Sequence, residues 1–394
     1  MRILVANLGS TSFKYRLLDM SDERTLARGG IERIGAAESR SVAEIGSWRE
    51  DRTRQVPDHG VAVRVCLEQL TDPEHGCLAS PAEVSAIGFK AVHGGRKSGV
   101  FRVDAELLAA MEEMNTVAPA HNPAYVAAMR TLAAQVQDIP LVAAFETDFH
   151  RTAPEAMRQY AIPREWADAL SIRKWGFHGA SHRYIATRCG ELLGSGARRI
   201  ISCHLGGSSS VCGIRDGRSL GTSLGMSPQT GLPQNNRVGD FDPFALPSIL
   251  AHTGLSLEEV LGKLATEGGL LGLSGYSGDI RDIESRAADG DSQCQLALDT
   301  YVAEVRRYIG GYLVALGGCD ALVFTGGIGE NGRSIRASVC RDLEELGIVL
   351  DGTKNGSASG EAALHAEGSR TQIWTLPTNE ELIVARQCVE LLGS

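Results

Sequence analysis

The 394-residue chain lacks an excess of basic residues, an unbroken apolar run and paired cysteine motifs. Its 39 Lys and Arg against 48 Asp and Glu give a net charge of −9, which argues against binding nucleic acid or an anionic membrane. The longest apolar stretch, from Tyr308 to Phe324, is interrupted by four glycines and Asp320 and is too broken to span a bilayer. A small anionic ligand held by a few local cations stays compatible with this composition.

The nine cysteines show no CxxC or other metal-binding spacing, so we expect reduced, buried thiols in a cytoplasmic protein. No signal peptide is expected, because MRILVANLGS runs directly into a strand pattern. The sequence also lacks a GxxxxGK[ST] loop and a kinase-type GxGxxGxV motif. These two absences argue against P-loop and protein-kinase folds.

Hydrophobic residues make up 43% and charged residues 22% of the chain, as in globular proteins, and the length suggests two or three domains. Short apolar strands alternate with amphipathic stretches, which indicates an α/β protein. The spacing predicts a helix over Leu298–Leu316, a strand over Ala321–Phe324 and a tight loop over Thr325–Asn331. We further expect a helix over Ser334–Leu346 and a surface excursion over Gly352–Gln372.

An internal repeat is the most informative feature. Arg2–Asp19 reads RILVANLGSTSFKYRLLD and Arg199–Asp216 reads RIISCHLGGSSSVCGIRD, and both predict a strand, a Gly/Ser-rich turn and a strand. Such a turn exposes backbone N–H groups and hydroxyls with little side-chain bulk. Two of these hairpins facing each other could grip a polyphosphate from both sides.

Several polar motifs stand at the ends of predicted elements. The segment NLGSTSFK, from Asn7 to Lys14, is either an ordinary hairpin turn or a cradle for a phosphate or a metal–phosphate. Histidines follow predicted strands or precede predicted helices in AVHGG, AHNP, FETDFH and WGFHGASH, and the last motif precedes a helix expected to begin near Arg183. A single histidine is more often structural, but the group beside Gly, Asn and Ser favours a functional site.

Three later motifs complete the set. The segment NRVGDFD places the Arg237 cation in a loop with two carboxylates, and GGIGEN is a strand-to-helix turn suited to contact with anions. The acids of TNEEL, after Pro377, either cap the last helix or belong to a metal shell.

Together the motifs resemble the acetate and propionate kinases, the acetokinase family of the actin-like ATPase superfamily. The resemblance runs from Arg2 to Arg386 through NLGSTSFKY, AVHGG, APAHNP, WGFHGASH, HLGGSSS, GLPQNNRVGDFDP, SGDIRDIE, FTGGIGENG and PTNEEL. It implies an α/β fold of two duplicated actin-like (ribonuclease H-like) domains with a nucleotide cleft between them. The first would comprise residues 1–150 plus about 380–394, and the second, residues 151–379, would bind nucleotide and form a homodimer.

The resemblance implies reversible phosphoryl transfer from ATP to acetate or propionate, giving an acyl phosphate and ADP. His178 would hydrogen-bond the phosphoryl group in transfer, Arg237 would hold the carboxylate or its new phosphate, and His121 would assist from the other side. Asn7 and Glu380 would order Mg²⁺, with Mn²⁺ as an alternative. The implied nucleotide-binding residues are Lys14, His204, Gly206, Gly207, Ser208, Asp279, Ile280, Arg281, Gly327, Ile328, Gly329 and Asn331.

The chain departs from the family pattern where the chemistry is expected. Lys90 replaces an arginine and Glu146 an aspartate, two implied catalytic positions at which the shorter cation and the longer acid could compensate. Gly207 replaces an asparagine near the phosphates, and we expect the hydroxyls of Ser208–Ser210 to substitute in part.

The acyl pocket implied by the resemblance also differs from the family pattern. It would be lined by Lys90, Val92, Ala120, Phe177 and Pro228, and Ala120 replaces a leucine. The missing side chain predicts tolerance of propionate or larger acids, unless neighbouring residues fill the gap, because burying those carbons is worth about 2–3 kcal/mol.

Two alternatives stay open on the sequence alone. One is the same chemistry on a larger, branched or hydroxy carboxylate, for which the departures at 90, 120 and 146 are the reason. The other is a nucleotide-binding relative that has lost turnover. The retention of His121, His178, Arg237 and Glu380 argues against that loss.

Overall fold

The computed structural model describes residues 1–9, 11–119 and 121–393, except for the side chain of Ser195. The chain divides into two units, one formed by Met1–Asp148 with Asn379–Ser394 and the other by Phe149–Thr378. In the described ranges, no helix is both long enough and apolar enough to cross a membrane.

The first unit is a mixed sheet with helices on both faces. Its strands are β1 (Arg2–Gly9), β2 (Ser12–Asp19), β3 (Arg24–Glu32), β4 (Ser39–Ile45), β5 (Trp48–Arg54), β6 (Val84–Ala91), β7 (Val100–Arg102) and β8 (Leu141–Phe145). Its helices are α1 (His59–Leu70), α2 (Ala105–Glu113), α3 (Asn122–Gln135) and, from the end of the chain, α15 (Glu380–Gly393). The strand order is β5-β4-β3-β2-β1-β6-β8-β7.

Strand β1 is buried on both faces of this sheet, because residues 3–6 are apolar without alternation. Leu4 belongs to the core that includes residues of α1 and α3, whereas Ile3 lies near α15 on the other face. Gly88 on β6 permits that second contact, since a Cβ there would stand 2.6 Å from Cys388 Sγ. The last helix is therefore an integral layer of the first unit.

The second unit is built around a smaller sheet. Its strands are β9 (Arg199–His204), β10 (Ser210–Arg215), β11 (Arg218–Thr222), β12 (Ala321–Thr325), β13 (Ala362–Ala363) and β14 (Gln372–Thr375). Its helices are α4 (Glu155–Arg158), α5 (Arg164–Leu170), α6 (Gly179–Leu193), α7 (Leu246–Thr253), α8 (Leu257–Thr266), α9 (Gly269–Ser274), α10 (Ile280–Ala288), α11 (Ser292–Leu316), α12 (Gly326–Asn331), α13 (Arg333–Cys340) and α14 (Gly352–Ser357). The strand order is β11-β10-β9-β12-β14-β13.

The two sheets share a five-strand arrangement. In β3-β2-β1-β6-β8 and in β11-β10-β9-β12-β14, the first three strands pair antiparallel and the last three pair parallel. The repeated sequence segments are the equivalent hairpins β1–β2 and β9–β10. The strand–turn–strand interpretation of both copies is confirmed.

Several local predictions need correction. The segment from Thr325 is not a loop, because Gly326–Asn331 forms α12, and the following helix ends at Cys340 rather than Leu346. Helix α6 begins at Gly179, four residues before the expected start. The excursion after Gly352 contains α14 and β13.

This excursion is partly buried for an identifiable reason. The fully buried Arg336 guanidinium donates from Nε to Asn355 Oδ1 at 2.7 Å and from Nη2 to the Asn355 carbonyl. Leu364 is also fully buried. Composition alone suggested a surface segment, but these long-range contacts fold it over the core.

Candidate active site

The start of helix α6 carries a chain of histidines and serines in the second unit. His178 Nδ1 lies 2.8 Å from Ser210 Oγ, and the same hydroxyl lies 2.8 Å from His182 Nε2. His182 Nδ1 in turn contacts Ser202 Oγ at 2.9 Å. The His178 ring also stacks on His204, with the ring centroids 4.2 Å apart. Side chains from α6, β9 and β10 thus fix the orientation of His178.

The backbone around His178 is shaped for this placement. His178 adopts the left-handed conformation, with φ of 55°, immediately before the helix, a conformation that is uncommon among non-glycine residues. At Gly176, with φ of +76°, a Cβ would stand 2.6 Å from the His150 ring. Glycine is therefore required where the WGFHG turn crosses His150.

His150 is a buried positioning group. Its Nε2 lies 2.9 Å from the Phe177 carbonyl and its Nδ1 lies 2.9 Å from Ser219 Oγ. Burial lowers the pKa of His150 to about 4, and burial also lowers the pKa of His182 well below its usual range. Both rings are accordingly neutral at pH 7.

The lowered pKa of His150 predicts that the stability of the protein depends on pH. Between pH 6.5 and pH 4 the unfolded chain binds a proton at residue 150 that the folded chain excludes, so stability is lost as the pH falls. From pH 7.5 to pH 5.5, His150 should remove about 1.4 kcal/mol from the free energy of unfolding. Urea denaturation at both pH values should show a smaller pH effect in His150→Gln. His252 is exposed and serves as the control, so His252→Gln should keep the pH effect of the wild type. An equal pH dependence of the free energy of unfolding in all three proteins would contradict the assignment.

Arg237 is a cation without an ion pair among the described residues. Its Nη1 donates to Ser208 Oγ at 3.3 Å and to Gln234 Oε1 at 3.2 Å. Burial lowers its pKa because no carboxylate compensates the charge. A partly buried guanidinium of this kind suits a carboxylate or phosphate ligand.

A pocket of about 520 Å³ lies next to the turn that carries Ser208. It brings together most of the implied nucleotide-binding residues, namely Gly206, Gly207, Asp279, Ile280, Arg281, Gly327, Ile328 and Asn331. Asn235, Glu284 and Gly332 also line it, although the sequence analysis did not single them out. His204, Ser208 and Gly329 lie outside its lining, and Lys14 belongs to the first unit.

The amides of the GGIGEN turn are mostly engaged within the protein. The N–H of Gly326 donates to Glu330 Oε1, and those of Ile328 and Gly329 donate to the Leu205 carbonyl. Gly327 is exposed, and its N–H has no acceptor within the described part of the chain. It is therefore the amide of this turn best placed to meet a phosphate, rather than the whole segment 327–329.

The first unit holds a partly buried charge cluster around Lys90. Lys90 Nζ hydrogen-bonds Glu380 Oε2 at the start of α15, and Glu146 lies buried at the end of β8, the strand next to that of Lys90. Burial disfavours the ammonium, but the carboxylates of Glu380 and Glu146 outweigh burial and raise the pKa of Lys90. The cation is thus shared between two acids of its own unit.

Hard oxygen ligands stand beside this cluster. The Oδ1 of Asn7 is buried and accepts no hydrogen bond within the described residues, while its Nδ2 donates to Glu381 Oε1 at 3.3 Å. No group of three or more His, Cys, Asp or Glu in the described residues could hold a metal by itself. The amide oxygen and the Glu380 carboxylate still fit Mg²⁺, which commonly takes one or two protein ligands together with substrate phosphates and water.

The other predicted residues fall in both units. Lys14 is exposed and lines a pocket of about 320 Å³ with Asn7 and Glu381. His121 immediately precedes α3, and Val92 packs at the edge of the first core. Phe177 and Pro228 are buried in the second unit, and Ala120 lies outside the described residues.

Comparison with known proteins decides the family. The model of the acetokinase family matches residues 2–386. The chain belongs to the acetokinase family. It is 42% identical over 397 residues to the acetate kinase of Carboxydothermus hydrogenoformans, covering 100% of this chain and 99% of that protein. It superposes on the crystal structure of Porphyromonas gingivalis acetate kinase with a TM-score of 0.90 at 36% identity, covering 99% of each chain. A propionate kinase from Francisella tularensis matches with a TM-score of 0.89 at 32% identity, over 98% of each chain.

These findings confirm the resemblance, the fold of duplicated actin-like domains and the enzyme class. This acetokinase-family protein is a short-chain carboxylate kinase, a phosphotransferase with a carboxyl group as acceptor. Its substrates are accordingly an adenine nucleotide and a carboxylate or acyl phosphate, and its chemistry is metal-dependent, as is general in the family.

The sequence analysis placed His150 and His182 among the candidate histidines and Ser210 among the hydroxyls near Gly207, but their contacts across the sheet could not be predicted. Asn235 also lies within a quoted motif and was not singled out. The correction at Gly207 is similar. Ser210 is engaged with histidines and Ser209 with Gly206 and Tyr301, so these hydroxyls do not replace the missing asparagine.

The Lys90 cluster yields a mutational prediction. If Lys90 and Glu146 compensate each other, Lys90→Arg and Glu146→Asp should each lower kcat/KM about threefold or more, because each single change misplaces one charge by about 1 Å. The double variant should recover most of the loss, as expected for coupled neighbours. Steady-state kinetics of the four proteins measure the coupling. A double variant no more active than either single variant would sink the compensation hypothesis.

Proposed function

We propose that this enzyme phosphorylates acetate and propionate reversibly with Mg-ATP, giving the acyl phosphate and ADP. The observation that carries the proposal is the position of Arg237, whose guanidinium has no ion pair with any described residue and contacts Ser208 in the turn that also lines the nucleotide pocket. A carboxylate held by Arg237 would therefore stand beside bound nucleotide phosphates.

The reaction needs charge stabilisation and alignment more than covalent help. Arg237 would bind the carboxylate and then the new phosphate, and its fixed fork suits either anion. His178, held through Nδ1 by Ser210, would present Nε2 as a donor to the oxygens of the transferring phosphoryl. His121 would donate to the same group, and Lys90 and Glu146 would set the charge balance on the side of the first unit.

Asn7 and Glu380 would hold the metal, with Mg²⁺ or alternatively Mn²⁺ as the ion. When bound, the ion neutralises phosphate charge that would otherwise repel the carboxylate. In the first unit, Lys90 holds the Glu380 carboxylate in place through their hydrogen bond. Lys14, His204 and Ser208 would contribute to nucleotide binding together with the pocket residues.

The acid is selected by Val92, Ala120, Phe177 and Pro228 in this proposal. Ala120 in place of the usual leucine predicts room for propionate. A larger, branched or hydroxy acid is the second candidate, and the same assay distinguishes it.

The substrate is tested by trapping acyl phosphate with hydroxylamine. We expect hydroxamate from acetate and propionate with Mg-ATP, and a fall of about a hundredfold or more for Arg237→Ala, since an unpaired cation in contact with substrate is lost. Ala120→Leu should shift the preference from propionate towards acetate.

Arg218→Ala is the matched control, because it removes an arginine of the same unit that does not line the pocket. If only a hydroxy or branched acid gave product, that acid would replace acetate and propionate as the proposed substrate. No product from any acid, despite ATP binding, would reject kinase activity on this class.

We further propose a homodimer formed through the second unit. Gly310 and Gly311 lie in the middle of α11 with open space where a Cβ would stand, although glycine weakens a helix by about 0.5–1 kcal/mol relative to alanine. Val314 on the same helix is 83% exposed, and Phe244 is 86% exposed. Asp240, in the loop that leads to Phe244, accepts a hydrogen bond from the Tyr308 hydroxyl of α11 and so links that loop to the helix. Close approach of a second copy would account for bare glycines beside exposed apolar side chains.

Phe244→Glu and Val314→Glu should each shift the protein from dimer to monomer in light scattering coupled to size exclusion, because each buries a charge in the interface. Leu346→Glu is the control, since Leu346 is 56% exposed and lies outside α11 and the Asp240 loop. A wild-type monomer at micromolar concentration, or dimers for all variants, would contradict this surface. The nine free cysteines support a cytoplasmic location for the assembly.

A further inference from the structure

The nucleotide pocket has a gap at Gly207. This residue replaces the asparagine that the family pattern places near the phosphates. Its φ is not in the left-handed region, so its backbone does not demand glycine. A side-chain donor is therefore missing from a position where the backbone would accept one.

Another amide occupies the space beside Gly207. A Cβ built on Gly207 would stand 3.2 Å from Asn235 Nδ2, 3.6 Å from Cγ and 3.8 Å from Oδ1. Asn235 and Gly207 line the same pocket of about 520 Å³. The carboxamide of residue 235 thus reaches the place from which a side chain at 207 would start.

The backbone of Asn235 is held firmly in this position. Its N–H donates to the Gly207 carbonyl at 3.1 Å, and its own carbonyl accepts from Leu271 at 2.8 Å. Gly278 makes this approach possible, since a Cβ there would stand 2.7 Å from the Asn235 carbonyl oxygen. Because the backbone is fixed, only the side-chain rotamer of Asn235 has to be ordered when its amide binds a ligand.

The side chain of Asn235 is also available. It makes no hydrogen bond within the part of the chain that the structure describes, whereas the three serines after Gly207 are bonded to protein groups. Gly206 and Gly327 in the same pocket add no side-chain donors, and the Asn331 amide that also lines it donates to the Gly327 carbonyl at 2.9 Å. Asn235 is therefore a neutral side-chain donor of this pocket that no acceptor among the described residues engages.

We propose that Asn235 Nδ2 donates a hydrogen bond to the phosphates of the bound nucleotide, in the role that an asparagine at position 207 would otherwise fill. The assignment deepens the proposed function, because it takes ATP and ADP as the occupants of this pocket. Under this assignment Asn235 and Gly207 form a compensating pair. A single amide donor, placed at residue 235 or at residue 207, binds the same phosphate position.

The test is calorimetric binding of ADP and of adenosine to the full-length protein. Asn235→Ala should weaken ADP binding about tenfold to a hundredfold, as expected for a lost hydrogen bond to a charged group, and should leave adenosine binding unchanged. Asn236→Ala is the matched control, since Asn236 is the next residue and exposed but does not line the pocket. It should bind ADP like the wild type.

A swap makes the test sharper. Gly207→Asn alone crowds two amides into one place and should not improve ADP binding. Gly207→Asn combined with Asn235→Ala should restore the ADP Kd to within about threefold of the wild type, so the two changes should be strongly non-additive. Thermal unfolding of each variant verifies that the proteins are folded.

The proposal is overturned if Asn235→Ala binds ADP normally, if adenosine binding falls by the same factor, or if the double variant is no better than Asn235→Ala. Wild-type protein that fails to bind ADP would overturn it together with the kinase proposal. Wild-type protein that binds ADP but forms no acyl phosphate would reject the proposed substrate and leave the assignment of Asn235 standing.

Discussion

The backbone of Leu205 ties together the two glycine turns that line the pocket of about 520 Å³ in the second unit. Its N–H donates to the Thr325 carbonyl at 2.8 Å, and its carbonyl accepts from Ile328 at 2.9 Å and from Gly329 at 3.0 Å. These bonds join the end of β9 to the end of β12, its parallel neighbour in the sheet. Gly326 is required at this joint, because a Cβ there would stand 2.6 Å from the Leu205 carbonyl oxygen. Removing this link would release both glycine turns at once.

The histidine chain depends on the same strand, approached from the neighbouring helix. Ser202 and His204 alternate with the core residues of β9, so both project towards α6, where His182 and Ser181 meet them. Burying these polar groups is tolerable because each finds a partner, and neutral imidazole avoids the much larger cost of a buried charge. The fold thereby fixes the ring of His178 through Ser210 and His204.

Much of this architecture could be predicted from local sequence. The repeated strand–turn–strand hairpins and helix α11 follow from apolar spacing and from Gly/Ser turns, which act over a few residues. Helix α12 could not be predicted, because its glycines favour a loop until Leu205, more than a hundred residues away, supplies acceptors. Asn235 was missed for a related reason. Its importance arises from what is absent at Gly207, and only the fold brings the two together.

The cations of the two units have different electrostatic roles. Lys90 stands with Glu146 and Glu380, whose carboxylates raise its pKa. Lysine satisfies two acids as a point charge, whereas arginine would bind one of them with a rigid fork. Carboxylate oxygens of this kind suit a divalent cation better than a bare carboxylate or phosphate. Arg237, with neutral Ser208 and Gln234 as its partners, has the opposite preference. In the proposed function, Arg237 of the second unit would therefore bind the anionic substrate, and Asn7 and Glu380 of the first unit would bind the metal ion.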